Sequence, residues 1–327
     1  MVTGCLHLKY LKFFFLTIFI LFLTACGSTA KPASSGYTVT DVRGKVVTFT
    51  KIPKKVLTDS LHLDETVLTL VPADRLAAVN YLDAEPGISF IAAETQSVEP
   101  KFHQLTPELV IKLAPDVFFA SQWSDPGLVA KMEEVGIPVV MCYGPVTLEQ
   151  IRGNVQLMAA VLKRDKAGQN VLAQLDKELQ AIKHVIDKQP QPRPVGLLVS
   201  LMSRYGGKGS LYDALCPLAG FRNGLREAGI ANGQELTREG ILQADPDFFL
   251  VSRPYPAEQD TYMKFQDSFF SDPALQDLKG LDRKVALQDK YVYDASPMVV
   301  YGIRAMANGA YGRALFTLPE QQFLKGY

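Results

Sequence analysis

Cysteine is scarce in this chain, 4 in 327 residues, and beyond the N-terminal segment only Cys26, Cys142 and Cys216 remain. A cysteine-based metal site has too few ligands to form. Cys142 and Cys216 lie in different halves, so a disulfide would have to tie the halves together, and two free, half-buried thiols are the expectation. Histidine is equally thin: His62, His103 and His184 offer no third ligand at a useful spacing, which excludes the His-rich site of a bare zinc or manganese carrier. Neither charge is in excess, with 34 Lys and Arg against 34 Asp and Glu, so the basic footprint of a nucleic-acid binder is missing. Gly-x-Ser-x-Gly and His-Glu-x-x-His are both absent. The glycine-rich run Tyr205-Gly206-Gly207-Lys208-Gly209-Ser210 fails the phosphate-loop spacing, because Lys208 is followed by Gly209; Ser210 reads instead as the cap of the next helix. No spacing proposes a nucleophile with its base, so the expectation is a protein that is not an enzyme and needs no cofactor. An anchored hydrolase and a ligand-free adhesin stand as outside alternatives.

A long hydrophobic span is lacking too. The run Phe13 to Leu23 is too short to cross a bilayer, and Lys9 and Lys12 precede it in the order of a secretory signal. It ends in Leu23-Thr24-Ala25-Cys26-Gly27, which resembles the lipobox of bacterial lipoproteins, where cleavage precedes the cysteine and that cysteine carries the lipids. Residues 1–25 are then a signal, Cys26 is the lipidated N-terminus, and the protein is held outside the cytoplasm on a membrane surface. Residues 26–36 are small and polar, a flexible tether that cannot bury apolar surface. The folded body begins near Tyr37.

What the chain has in abundance is internal likeness. Leu105-Thr106-Pro107-Glu108 through Phe119 recurs without a gap as Leu236-Thr237-Arg238-Glu239 through Leu250, at an offset of 131 residues. Each copy reads as a short helix feeding a buried parallel strand. One pair at that distance is too widely spaced for a solenoid and implies two equivalent α/β lobes with a cleft between them. From Asp165 to about Lys188, Val171, Leu172, Leu175, Leu179, Ile182, Val185 and Ile186 recur at helical spacing, one long amphipathic helix stopped by Pro190-Gln191-Pro192-Arg193-Pro194. The expected organisation is a first lobe over 37–164, a linker helix over 165–190 and a second lobe over 191–327. Further helices are expected near Asp272 to Leu278 and from Pro297 to about Leu315, with a strand at Lys290 to Asp294. The fold class is α/β: two Rossmann-like lobes with mostly parallel sheets, joined by one long α-helix, with the ligand cleft between lobes.

Asp41-Val42-Arg43-Gly44, Pro53-Lys54-Lys55-Val56, Asp74-Arg75-Leu76, the two Glu-bearing repeats, Gly136-Ile137-Pro138-Val139, Gly209-Ser210 with Leu218-Ala219-Gly220-Phe221, and Val292-Tyr293 together resemble the substrate-binding lipoproteins of ABC importers for iron chelates, haem and vitamin B12. The resemblance implies a monomer that delivers its ligand to a permease dimer. In that family one acidic residue per lobe pairs with arginines of the two permease subunits, and Glu108 and Glu239 occupy those positions; helix capping is their plainer role.

Ligands in open α/β sheets bind beyond the carboxyl ends of the strands. Those ends offer Trp123, the single tryptophan, in one copy and Arg253 with Tyr255 in the other. His62, Tyr81, Tyr143, Arg204 and Tyr205 complete the candidate ligand-binding set, at the ends of other strands. His62 reads first as a hydrogen-bonded turn histidine, with haem ligation as the alternative. Aromatics with one or two arginines suit a bulky, partly anionic metal chelate. A ferric siderophore ranks first, haem and cobalamin next.

Overall fold

Parallel strands cannot be joined by a tight turn, so a chain built from them must return over the sheet between one strand and the next, usually as a helix. This chain does so in both halves. The computed structural model describes residues 36–253 and 259–327. The first lobe runs β1 (Tyr37–Thr40), β2 (Val46–Phe49), β3 (Val56–Thr58), α1 (Leu61–Leu70), β4 (Val79–Asn80), α2 (Ala92–Thr95), β5 (Lys101–Phe102), α3 (Pro107–Leu113), β6 (Val117–Ser121), α4 (Pro126–Glu134), β7 (Val139–Cys142) and α5 (Leu148–Leu162). Then come α6 (Asp165–Ile186) and the second lobe: β8 (Val195–Val199), α7 (Leu211–Leu215), β9 (Arg222–Asn223), α8 (Gly224–Glu227), α9 (Arg238–Ala244), β10 (Phe248–Arg253), α10 (Gln259–Phe270), β11 (Lys284–Gln288), α11 (Lys290–Tyr293) and α12 (Val299–Tyr311).

The first sheet has the order β3-β6-β7 and the second β11-β10-β8-β9, and every pairing in both is parallel. Val56 sits opposite Val117 and Phe118 opposite Val139; in the second sheet Phe248 faces Gly196 and Phe249 faces Lys284. The central strands β6 and β10 are apolar on both faces, as strands covered by helices on each side must be.

Helix α6 holds the lobes together. Its 22 residues extend about 33 Å at 1.5 Å per residue. Val171, Leu175, Ile182 and Ile186 are buried on one stripe, each burial worth about 1.5–3 kcal/mol relative to exposure. The helix packs on α1 and α5 from the first lobe and on α12 from the second. Two ion pairs fix it to both neighbours, Arg152 with Asp176 and Arg304 with Glu178.

The repeated sequence is a repeated structure. Thr106 caps α3 by accepting from the Leu109 N–H at 3.3 Å, and Thr237 caps α9 by accepting from the Gly240 N–H at 3.1 Å. Both helices end on a non-glycine residue in the left-handed region, Ala114 at φ 45° and Asp245 at φ 37°. The aspartate after each proline then clamps the start of the neighbouring strand. The Asp116 N–H donates to the Lys55 carbonyl at 2.8 Å while its Oδ2 accepts from the Lys55 N–H at 3.0 Å. Asp247 does the same with Val195, at 2.8 and 2.6 Å.

Several elements differ from the sequence reading. Lys290 to Asp294 is helical, and the strand lies earlier, at Lys284–Gln288, where it pairs with β10 as an edge. The Tyr-Val-Tyr run imitates a strand, but the Asp289 carbonyl accepts from the N–H of both Val292 and Tyr293 and closes a helical turn. The helix near Asp272 is only one tight turn, Pro273–Leu275, and the real helix precedes it at Gln259–Phe270. Helix α5 has no counterpart in the sequence reading, although Thr147 accepting from the Gln150 N–H, with the Gln150 side chain returning to the Val146 N–H, is a clear start signal. The terminal helix spans only Val299–Tyr311 because Gly312, at φ 62°, ends it. Cys142 and Cys216 are free as expected but fully rather than half buried.

Candidate functional site

The carboxyl ends of the strands of both lobes converge on one cleft of about 430 Å³. The first lobe contributes Ser60, Leu61 and His62 at the start of α1, Tyr81 and Leu82 after β4, and Trp123 after β6. From the second lobe come Met202 after β8, Tyr262 on α10, and Asp289, Tyr293, Asp294 and Ala295 around α11. A second arm of about 290 Å³ shares Trp123, Met202, Tyr293 and Ala295 and reaches Tyr205.

Trp123 is 58% exposed and stands at the mouth of both arms. Its backbone N–H donates to Ser121 Oγ at 3.2 Å, which turns the loop sharply at the strand end. The indole lies so close over Gly144 that a Cβ there would stand 2.4 Å from Trp123 Cε2, so the glycine is needed for the approach. His62 packs edge-on beneath Trp123, with ring centroids 5.1 Å apart. Burial pushes the imidazole down to about 4. It is neutral at pH 7 and serves as an apolar wall, hydrogen-bonded to the Tyr143 backbone, with Nε2 buried and unpartnered.

On the facing wall, Tyr293 packs against Tyr205 at 5.3 Å between centroids. The Tyr293 hydroxyl lies 2.7 Å from Ser200 Oγ and 3.2 Å from Ser252 Oγ, which fixes the ring to the ends of β8 and β10. Burial pushes the Tyr293 phenol up to about 12, so it stays protonated at neutral pH. Tyr262 donates to Asp289 Oδ2 at 3.0 Å.

Of the residues proposed from sequence, the cleft brings together His62, Tyr81, Trp123 and Tyr205. Tyr81 stacks on His103 at 4.1 Å. Tyr143 lies behind the wall: its N–H and carbonyl are held by the Asn154 side chain at 2.8 and 3.0 Å, and it supports His62 rather than lining the space. Arg204 points away and pairs with Glu235 at 3.0 Å. Arg253 is exposed at the end of β10, and Tyr255 lies outside the described residues, as does Cys26. Sequence reasoning passed over Met202, Tyr262, Tyr293, Asp289 and Asp294. Tyr293 carried a signal, its place beside Val292 in the resemblance, and so did Met202, just past the end of β8; Tyr262 sits on a helix well past its strand and reaches the cleft by tertiary packing alone.

Among the described lining residues of both arms there is no Lys or Arg, while Asp289 and Asp294 are acidic. No group of three or more His, Cys, Asp or Glu among the described residues could hold a bare metal ion. No described helix is long and apolar enough to cross a membrane. The arrangement can enclose a flat or rounded hydrophobic solute between aromatic walls.

Residues 82–297 match the family model of the periplasmic binding proteins. No curated protein matches the chain in sequence. Among solved structures the chain is similar to the periplasmic heme-binding protein RhuT from Roseiflexus sp. RS-1 in apo form, at 20% identity and TM-score 0.67, covering 80% of this chain and 99% of that one. A periplasmic heme-binding protein from Pseudomonas aeruginosa aligns at 18% identity and TM-score 0.65 over 80% and 93%. A periplasmic solute binding protein from Veillonella parvula DSM 2008 aligns at 17% and 0.63 over 88% and 95%. At these identities the likeness to solved structures establishes the fold, two lobes with mostly parallel sheets. With the match of the family model, the chain belongs to the periplasmic binding proteins, a family of extracytoplasmic solute binders.

Proposed function

We propose that this chain is the solute-binding lipoprotein of an ABC importer, anchored through Cys26, and that its ligand is a metal chelate with a broad hydrophobic face, haem before the others. The observation that carries the reading is the cleft itself, where Tyr81 and Trp123 of one lobe face Tyr205, Tyr262 and Tyr293 of the other around Met202. Aromatic walls gain from stacking on a conjugated macrocycle, and methionine adapts to its irregular edge. Solved relatives of the same fold described as heme-binding support this ordering. In such a complex the charged edge of the ligand would face solvent at the open side of the cleft, since no described lining residue of either arm is a Lys or Arg. A second reading has its own support: acidic Asp289 and Asp294, without a lining cation among the described residues, favour a neutral or cationic ferric siderophore.

Docking onto the importer falls to Glu108 and Glu239, both exposed and each in the first turn of a repeated helix. One turn on, at the same offset, Ile111 and Leu242 are exposed at 48% and 46%. An acid with an apolar neighbour at i and i+3 on each lobe suits a partner of two equivalent subunits, each with a cation beside an apolar contact. Because α6 is packed by both lobes, closure around the ligand should be small, with affinity arising from a largely preformed cleft.

The visible spectrum of protein purified from its native host tests the ligand class. Haem gives a Soret band; a corrin spectrum or a broad ligand-to-iron charge-transfer band would replace haem by cobalamin or a siderophore. Colourless protein that takes up neither hemin, ferric desferrioxamine nor cyanocobalamin would overturn the chelate reading.

A further inference from the structure

Helix α1 carries two consecutive acids in a place where acids are costly. Asp64 is 0% and Glu65 1% exposed, on a helix whose remaining residues are nearly all buried. Each faces another carboxyl. Asp64 meets Asp83, itself 0% exposed, and Glu65 meets Asp294. Glu65 Oε1 accepts from the Phe90 N–H at 2.9 Å and Asp294 Oδ1 from the Ser296 N–H at 2.7 Å. That leaves Glu65 Oε2 and Asp294 Oδ2 buried without a partner at normal hydrogen-bond geometry and facing each other, with the Ser296 hydroxyl as the one further donor beside the pair. Neither oxygen of Asp64 or of Asp83 has a donor at normal hydrogen-bond geometry. Two buried carboxylates in contact cannot both stay charged; a proton shared between them turns repulsion into an O–H···O bond.

Both pairs hold cleft walls. Asp83 follows Tyr81 and Leu82, which line the cleft from the first lobe. Asp294 lies between Tyr293 and Ala295, which line it from the second. Glu65 with Asp294 therefore spans the two lobes, at a seam where Phe90 also packs on Tyr291 and Tyr301 and the Lys290 N–H donates to the Gly87 carbonyl at 3.2 Å.

We propose that the cleft is proton-coupled: the pairs Asp64–Asp83 and Glu65–Asp294 each bind one proton, and losing those protons drives the walls at Tyr81 and Tyr293 apart and weakens capture of the ligand. The assignment of this cleft as the ligand site is the reading on which the proposal rests.

Burial, as the leading cause, pushes Asp83 up to about 7 and raises Glu65, Asp64 and Asp294 above the usual carboxylate range. The neighbouring groups are unequal. Asp59, just past β3, adds negative charge beside Asp64 and Glu65 adds it beside Asp83, so the two pairs are coupled, whereas Lys290 of α11 offsets Glu65 and the Thr58 hydroxyl and Asn80 backbone favour the charged forms of Asp64 and Asp83. A carboxyl raised in the folded state binds more protons there than in the unfolded chain, so its contribution to stability falls as pH rises from about 4 through its folded value. His62, lowered to about 4, acts in the opposite sense: it favours the folded state above pH 6.5 and loses that advantage as pH falls towards 4. Comparing wild type with carboxyl variants cancels the histidine.

The test uses ligand-free protein from pH 5.5 to about 10, so that Asp64 and Asp294, which hold the shared protons and are raised furthest, are followed as well as Asp83. It reads thermal stability and the emission of Trp123, which is the sole tryptophan and lines the cleft. Wild type should lose stability and change Trp123 emission with a common midpoint as pH rises. Glu65→Gln with Asp83→Asn, where each amide donates the bond without titrating, should flatten both profiles. Asp294→Asn tests the inter-lobe pair from the other side, should Glu65→Gln fold poorly. Hemin affinity should weaken about tenfold across the same range in wild type and about threefold or less in the variants. Matching pH profiles in wild type and variants would overturn the coupling, whether or not hemin binds. PH-dependent emission lost in the variants, without hemin binding at any pH, would uphold the coupling and remove haem as the ligand.

Discussion

In the first lobe Thr106 caps α3, Ala114 takes the left-handed turn, Asp116 clamps β3 and Ser121 stands late in the strand; in the second, Thr237, Asp245, Asp247 and Ser252 take the same places, each 131 residues later. Beyond the two serines the copies part. Ser121 Oγ accepts from the Trp123 N–H and tightens its own loop, so the tryptophan is presented to the cleft. Ser252 Oγ bonds the Tyr293 hydroxyl, drawing in a residue from far along the chain. What the backbone requires is kept in both copies, whereas the residues presented to the cleft differ just beyond the two serines. The scaffold is duplicated and the site is not, as expected where loops carry function.

Substitutions can sharpen that contrast. The largest effect is expected at Gly280, where a Cβ would lie 2.3 Å from the Pro246 carbonyl oxygen and 2.7 Å from the Asp247 carbonyl carbon, backbone atoms that cannot swing aside. Gly280→Ala should destabilise by about 3 kcal/mol in denaturant unfolding, through the second copy alone. Next come the two clamps: Asp116→Ala strands the N–H groups of Lys54 and Lys55 and Asp247→Ala that of Val195, at about 2 and about 1 kcal/mol. Costs differing by more than about 1.5 kcal/mol would break the equivalence of the copies.

Much of this unit was legible beforehand because its signals are local: a threonine cap, an acid in the first turn, Pro-Asp before an apolar run. Helix α6 was legible for the same reason, its period being long and regular. The edge strand β11 was not, since Lys284-Val285-Ala286-Leu287-Gln288 becomes a strand only by pairing with β10, while the aromatic run after it has the stronger strand composition. The cleft was half legible. Residues just past strand ends could be guessed, Met202 after β8 among those passed over, but Tyr262 arrives by packing. The acids of α1 escaped altogether, because nothing in the local sequence sets Asp64 and Glu65 apart from other acids and only the fold buries them.

A functional test of the comparison is smaller in energy. Glu108→Gln with Glu239→Gln should lower uptake and importer-stimulated ATP hydrolysis about tenfold, or ~1.4 kcal/mol, while ligand affinity stays within about twofold. Each single change should give part of the loss if both lobes dock; one single change matching the double would make docking one-sided. The smallest effects belong to the caps. Thr106→Ala and Thr237→Ala should each cost about 1 kcal/mol of stability, and equally.

The account turns on the cleft between the lobes being the ligand site, and Trp123 reports on it without a label. Titrating hemin into ligand-free protein should quench the single tryptophan saturably at one equivalent, and Trp123→Phe should retain binding by absorbance with about tenfold weaker affinity. Hemin bound at one equivalent with Trp123 emission unchanged would contradict it.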